Sequence, residues 1–187
     1  MSDQLHLSYW IRGFAANNLM AHFEKLLGAF PLSRLDNGIQ ALTIYAIEFA
    51  EPPLVEHAFP ETPEIGDVLQ LAREFGNPDC AYQVEAAWDL LQFEDDWKLA
   101  PSPVSLICYG PQFENELGDN LRLELGPDSL FVPEPEIPGS PVPIQANIKS
   151  LLRLVHDLDQ AFPVNRRRLW TESGENFAER LQAAAGM

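Results

Sequence analysis

The residues best suited to chemistry are the run His156-Asp157-Leu158-Asp159. On a helix His156 and Asp159 stand three positions apart, so their side chains can meet. A histidine oriented by a carboxylate is half of an acid–base or nucleophilic site. The other half is not legible. The chain has no G-x-S-x-G elbow, and neither cysteine stands in a recognisable catalytic setting. The preferred account of His156 and Asp159 is therefore structural, with Asp159 paired to the arginines just beyond Pro163.

A second cluster is the acidic triplet Glu94-Asp95-Asp96, followed by Trp97. It lacks the spaced oxygen ligands of a calcium loop, so a solvated hairpin turn or a protein-docking spot is expected rather than a cation site. His6, His22, His57 and His156 form no H-x-H or H-x-x-x-H pair, and no metal is expected. Gly13 and Gly28 build no phosphate-cradling loop, so no cofactor is expected either. Cys80 and Cys108 are too few and wrongly spaced for a disulfide framework or a zinc knuckle, and they read as buried small hydrophobes.

The aromatic residues suggest a surface. Trp10 shares a strand face with His6, Ser8 and Arg12. If that face is wet, Trp10 beside Arg12 is an interface anchor; if helices cover it, Trp10 is core. Trp88 and Trp97 flank the acidic triplet. The candidate binding set is Trp10, Arg12, Trp88, Glu94, Asp95, Asp96 and Trp97.

These residues must be positioned by secondary structure. Residues 5–11 alternate strictly, with Leu5, Leu7, Tyr9 and Ile11 on one face, as a half-buried strand does. Leu19, Phe23, Leu26, Leu27 and Phe30 recur at helical steps. Asp36-Asn37-Gly38 carries a hairpin-turn signal between a short strand at 31–35 and an interior strand at 39–49. Thr62 is expected to cap a helix that begins at Pro63, carries Ile65, Val68, Leu69, Ala72 and Phe75, and stops at Gly76-Asn77-Pro78. Residues 80–93 alternate again. The order strand, helix, strand, strand, helix, strand is the βαββαβ plan of a ferredoxin-like sandwich.

Short strands follow at 104–109, 121–125 and 129–132. Residues 127–143 hold six prolines and are expected to form an extended strap across a sheet edge. The clearest helix opens at Pro143 or Ile144, is lined by Ile144, Ile148, Leu151, Leu152, Val155, Leu158 and Phe162, and ends at Pro163. Residues 165–171 are ambiguous. Scarce β-branching favours a helix there, with an edge strand as the alternative. The expected fold class is α+β: an antiparallel or mixed sheet with a ferredoxin-like N-terminal half, further strands and C-terminal helices. It is expected as one compact domain over 1–187, with 1–97 and 98–187 as the possible subdivision.

Charge narrows the partners. The chain has 12 Lys and Arg against 28 Asp and Glu, a formal net charge of −16. Before Ile144 there are 6 basic and 23 acidic residues, and from it onward 6 and 5. Such a field repels phosphates, so nucleic acid and anionic membrane are disfavoured, while a basic protein partner is drawn in. The 46% hydrophobic content suffices for a core, yet no run approaches a membrane span. The start MSDQLHLSYW lacks the plan of a secretory signal, which gives a cytoplasmic expectation. The leading expectation is a non-enzymatic protein that binds a basic protein through an acidic and aromatic surface, as immunity or antidote proteins of similar charge and size do. The alternatives are a small-molecule or enzymatic domain with a pocket near His156, Asp159 and residues 127–143, and a homodimer formed through a free sheet face.

Overall fold

The structure is a computed structural model that describes residues 2–174 and 177–185. Its strands are β1 (Gln4–Ile11), β2 (Ile39–Ala46), β3 (Val55–Ala58), β4 (Cys80–Phe93), β5 (Trp97–Tyr109), β6 (Leu121–Pro127) and β7 (Val164–Thr171). Its helices are α1 (Leu19–Ala29), α2 (Ile65–Glu74), α3 (Pro141–Ala161) and α4 (Phe177–Ala185), with a 3-10 turn at Asp128–Leu130. The seven strands make one antiparallel sheet in the order β3-β2-β4-β5-β6-β1-β7. Strands from both halves of the chain contribute to it.

Alternation explains the layering. Leu5, Leu7 and Tyr9 of β1, Tyr82, Val84 and Trp88 of β4, Leu106 and Cys108 of β5, and Leu121, Leu123 and Leu125 of β6 point to one side. There they meet Phe23, Leu26 and Leu27 of α1, Val68 and Leu69 of α2, Leu151, Leu154 and Leu158 of α3, and Phe177 of α4. The four described helices all pack into this one cluster, so the residues that alternate with these lie on a face that none of the described helices covers. Gly110 lets β5 close against β4. A Cβ there would stand 2.4 Å from the Pro78 carbonyl oxygen and 2.5 Å from that of Cys80, so a side chain does not fit.

Several expectations need correction. A strand, helix, strand, strand, helix, strand order does run through β4, but with β3 at 55–58 in place of the strand expected at 31–35, and the pairing is not ferredoxin-like. That plan sets the first strand beside the last of the six, whereas β5 and β6 here stand between β1 and β4. Residues 31–35 form no strand, so Asp36-Asn37-Gly38 joins no hairpin; the hairpin partner of β2 is β3. Thr62 does not cap α2. Its hydroxyl donates to Asn37 Oδ1 at 2.6 Å and accepts from the Gly38 amide at 2.9 Å, while Glu64 holds the cap position. Residues 129–132 turn rather than extend. In α3, Leu152 is exposed and Leu154 takes the inward place.

Residues 166–170 belong to a strand, β7, not a helix. Local propensity lost to pairing: β1 offers an open edge, and β7 satisfies it in antiparallel register from Ile11↔Val164 to Leu5↔Thr171. The proline-rich segment does not run along a sheet edge. It leaves interior strand β6, turns, and enters α3. Asp128 pins it, accepting from the Asp3 amide at 3.0 Å and from Arg180 Nη2 at 2.7 Å. Trp97 also holds it, donating from Nε1 to the Pro138 carbonyl at 3.1 Å. Asn147, on the buried side of α3, clamps the helix to β4. Its Oδ1 accepts from the Leu91 amide at 2.9 Å, and its Nδ2 donates to the Leu91 carbonyl at 2.8 Å and the Leu130 carbonyl at 2.9 Å.

Candidate functional site

The helix-free face of the sheet gathers the chain's unusual polar chemistry. Strand register sets it in rows. One row runs Glu85, Ser105, Glu124, His6, Trp170 across β4, β5, β6, β1 and β7. The next runs Gln83, Ile107, Arg122, Ser8, Arg168 over the same strands. Neighbouring strands lie about 4.8 Å apart, so Glu85 and Glu124 sit about 10 Å apart at the backbone with Ser105 between them.

Ser105 donates from Oγ to Glu85 Oε2 at 2.9 Å, and Gln83 Nε2 donates to Glu85 Oε1. Burial pushes the Glu124 carboxyl above its ordinary value; Glu85 and Glu172 push the same way, and Arg122 opposes them. Gln4, Glu85, Pro103, Ser105, Glu124 and Gly126 border a cavity of about 300 Å³. Beside it His6 is 5% exposed and stacked on Trp170, with ring centroids 4.2 Å apart. Burial holds its imidazole below the usual value, against the pull of Glu172. The ring shares a hydrogen bond with Glu172, Nε2 to Oε1 at 3.3 Å, and its Nδ1 meets no partner among the described residues.

Toward the other end of the face Arg122 is locked in place. Its Nε and Nη2 donate to Asp119 Oδ2 and Oδ1 at 2.8 and 2.7 Å, and Nη2 also reaches Asn115 Oδ1 at 3.2 Å. The guanidinium carbon lies 5.1 Å from the Tyr109 ring centroid and 5.8 Å from that of Trp170. Trp170 is itself fixed by donation from Nε1 to Ser8 Oγ at 3.0 Å.

The sequence-derived candidates are scattered around this face. Trp10 does lie on it, half-buried, with Arg166 over its ring at 4.4 Å and its Nε1 donating to the Leu117 carbonyl at 3.3 Å. Arg12 is exposed beyond the end of β1. Trp88 is 3% exposed and packs against Phe30 and Phe131 on the helix side, so it offers no surface. Glu94, Asp95 and Asp96 form the exposed β4–β5 turn, and Trp97 packs beside Phe93. That turn is 12 residues of β5 from Tyr109, the level of Trp10, or about 40 Å. The two halves of the expected patch do not meet.

His156 is exposed and lines none of the cavities described here. Asp159 pairs with Arg167 and accepts from the Tyr9 hydroxyl at 3.4 Å. This is the structural pairing preferred on sequence grounds. Cys80 and Cys108 are free and buried, and burial pushes both thiols up. No group of three or more His, Cys, Asp or Glu among the described residues is placed to hold a metal ion. No described helix is long and apolar enough to cross a membrane.

Sequence reasoning missed Glu85, Ser105, Glu124, Arg122 and Tyr109 as a group. The signal was present within each strand, as polar residues alternating with apolar ones. What lacked any signal was which strands lie side by side. No family model matches the chain, and neither a curated protein nor a solved structure does.

Proposed function

We propose that the protein is a binding protein that receives a basic protein partner on the helix-free face of its sheet. The observation that carries this reading is the pair Glu85 and Glu124, held on either side of Ser105 at an open cavity. Burial, and then the nearby Glu85, drive Glu124 toward its protonated form. A lysine or arginine side chain entering the cavity offsets this cost at Glu124. The cation acting on Glu124 from within the chain is Arg122, and its guanidinium is committed to Asp119. The net charge of −16 steers a basic partner toward the protein, and Trp10 and Trp170 supply aromatic contact area on the same face.

The competing occupant of the face is a second copy of the chain, because Arg166 and Arg168 on the β7 edge have the charge to meet Glu85 and Glu124 of another molecule. One experiment separates the two. A nona-arginine peptide is titrated into the protein by calorimetry, alongside light scattering of the protein alone. Glu85→Gln with Glu124→Gln is expected to weaken peptide binding by about tenfold, while Glu94→Gln with Asp95→Asn leaves it unchanged. Equal effects of the two pairs reduce the attraction to net charge and overturn the proposal. A stable dimer dispersed by Glu85→Gln assigns the face to a second copy and overturns it equally.

A further inference from the structure

We infer that the cavity between Phe49, Trp170 and the Arg122–Tyr109 pair is a binding site for a neutral, planar ring carrying a carbonyl oxygen. This site is distinct from the Glu85–Glu124 cavity and does not rest on the partner reading. Along β5 it lies four residues away, about 13 Å.

The cavity has a volume of about 370 Å³, within the range of small-ligand sites. Its lining carries three aromatic side chains, Trp170, Tyr109 and Phe49, with the exposed Leu117 beside them. A lining rich in aromatic rings favours a planar occupant, which can meet them edge-on or face-on. Tyr109 and Arg122 bring donors to a lining that also holds the carboxylates of Glu114 and Glu116. Tyr109 is 3% exposed, yet its hydroxyl meets no hydrogen-bond partner among the described residues. Buried hydroxyls are seldom left unpaired, and each such group calls for an explanation. Arg122 uses Nε and Nη2 on Asp119 and Asn115, and among the described residues the N–H groups of Nη1 meet no acceptor.

Charge decides which acceptor. Asp119 cancels the charge of Arg122 through two hydrogen bonds, and Glu114 and Glu116 stand exposed on the cavity lining. An anion therefore meets net repulsion, whereas a neutral carbonyl accepts the same hydrogen bonds without it. The frame is also held under strain. Ile47 is β-branched and has φ +70°, a conformation such residues rarely adopt. Its amide donates to the Asp79 carbonyl at 2.8 Å, and its own carbonyl accepts from the Glu114 amide at 2.8 Å. That second bond ties the segment carrying Phe49 to the segment carrying Glu114 and Leu117, so two walls of the cavity are fixed to each other.

The test uses nicotinamide as the probe, with benzoate as the anionic control and cyclohexanecarboxamide as the non-planar one, followed by two-dimensional proton–nitrogen NMR of the whole protein. Nicotinamide is expected to shift the Trp170 indole N–H and the Arg122 Nε–H, saturating at about millimolar concentration as suits so small a ligand. Both controls should leave those signals in place. Tyr109→Phe, which removes only the unpaired hydroxyl, should weaken binding by about fivefold, and Phe49→Ala, at an exposed ring, by a similar factor. The inference is overturned if nicotinamide moves neither signal, if either control binds equally well, or if Tyr109→Phe binds as the parent does.

Discussion

Arg122 and Asp119 form a two-pronged pair on the sheet, with the carboxylate side chain fully buried and the guanidinium side chain 16% exposed. A carboxylate in that position is tolerated because both of its oxygens accept from one planar donor. Removing one partner strands the other. Asp119→Ala is expected to destabilise the fold by about 3 kcal/mol, read as the shift in a urea unfolding midpoint. A loss under 1 kcal/mol would show the arginine finding water instead.

Acidity should act on Glu124 and His6 of the helix-free face in opposite directions. Glu124 has a folded-state pKa raised above 4.5, so the folded protein holds that proton more tightly than the unfolded chain does. Its contribution therefore improves as pH falls from above the folded value toward 4.5. His6 has a folded-state pKa lowered below 6.5, so its contribution is present above 6.5 and is lost as pH falls through the folded value. Glu124→Gln should raise the melting temperature at neutral pH, with the gain shrinking toward pH 4.5. His6→Gln should flatten the loss of stability below pH 6.5. Parallel melting curves for either variant and the parent across that range would contradict the burial assigned to that residue.

Asn147 fastens α3 to β4 by satisfying both backbone groups of Leu91. Asn147→Leu leaves a buried amide and two carbonyls to find other partners. The expected cost is about 2–3 kcal/mol by chemical denaturation, set mainly by the unpaired groups rather than by lost packing. By contrast His156→Ala, on the exposed side of the same helix, should change stability by no more than about 0.5 kcal/mol.

Neither thiol should react in the folded protein. Cys80 and Cys108 are both fully buried, and burial disfavours the thiolate that reagents require. A disulfide-exchange reagent should label neither within minutes at neutral pH, and both at once after denaturation. Fast labelling of the native protein would mean that β4 and β5 open locally.

The sequence by itself determined which residues form strands β1, β4 and β6 and which form helices α1, α2 and α3, because apolar spacing of two or near 3.6 is a local property of the chain. It also determined that the acidic residues crowd the part before Ile144, and that Asp159 had arginines within reach. Only the tertiary structure decided which strands are neighbours. That is why the ferredoxin-like plan failed, with β3 taking the place of the strand expected at 31–35, and why residues 166–170 became a strand: pairing energy comes from a partner edge, which no local window contains. The same reason governs the candidate site. Glu85, Ser105 and Glu124 are separated by 20 and 19 positions in the chain, and hydrogen-bonded register alone sets them side by side. Trp88 and Trp10 look alike in sequence, each on a strand among alternating residues. One went to the core and the other to the surface because all the helices pack on a single face of the sheet.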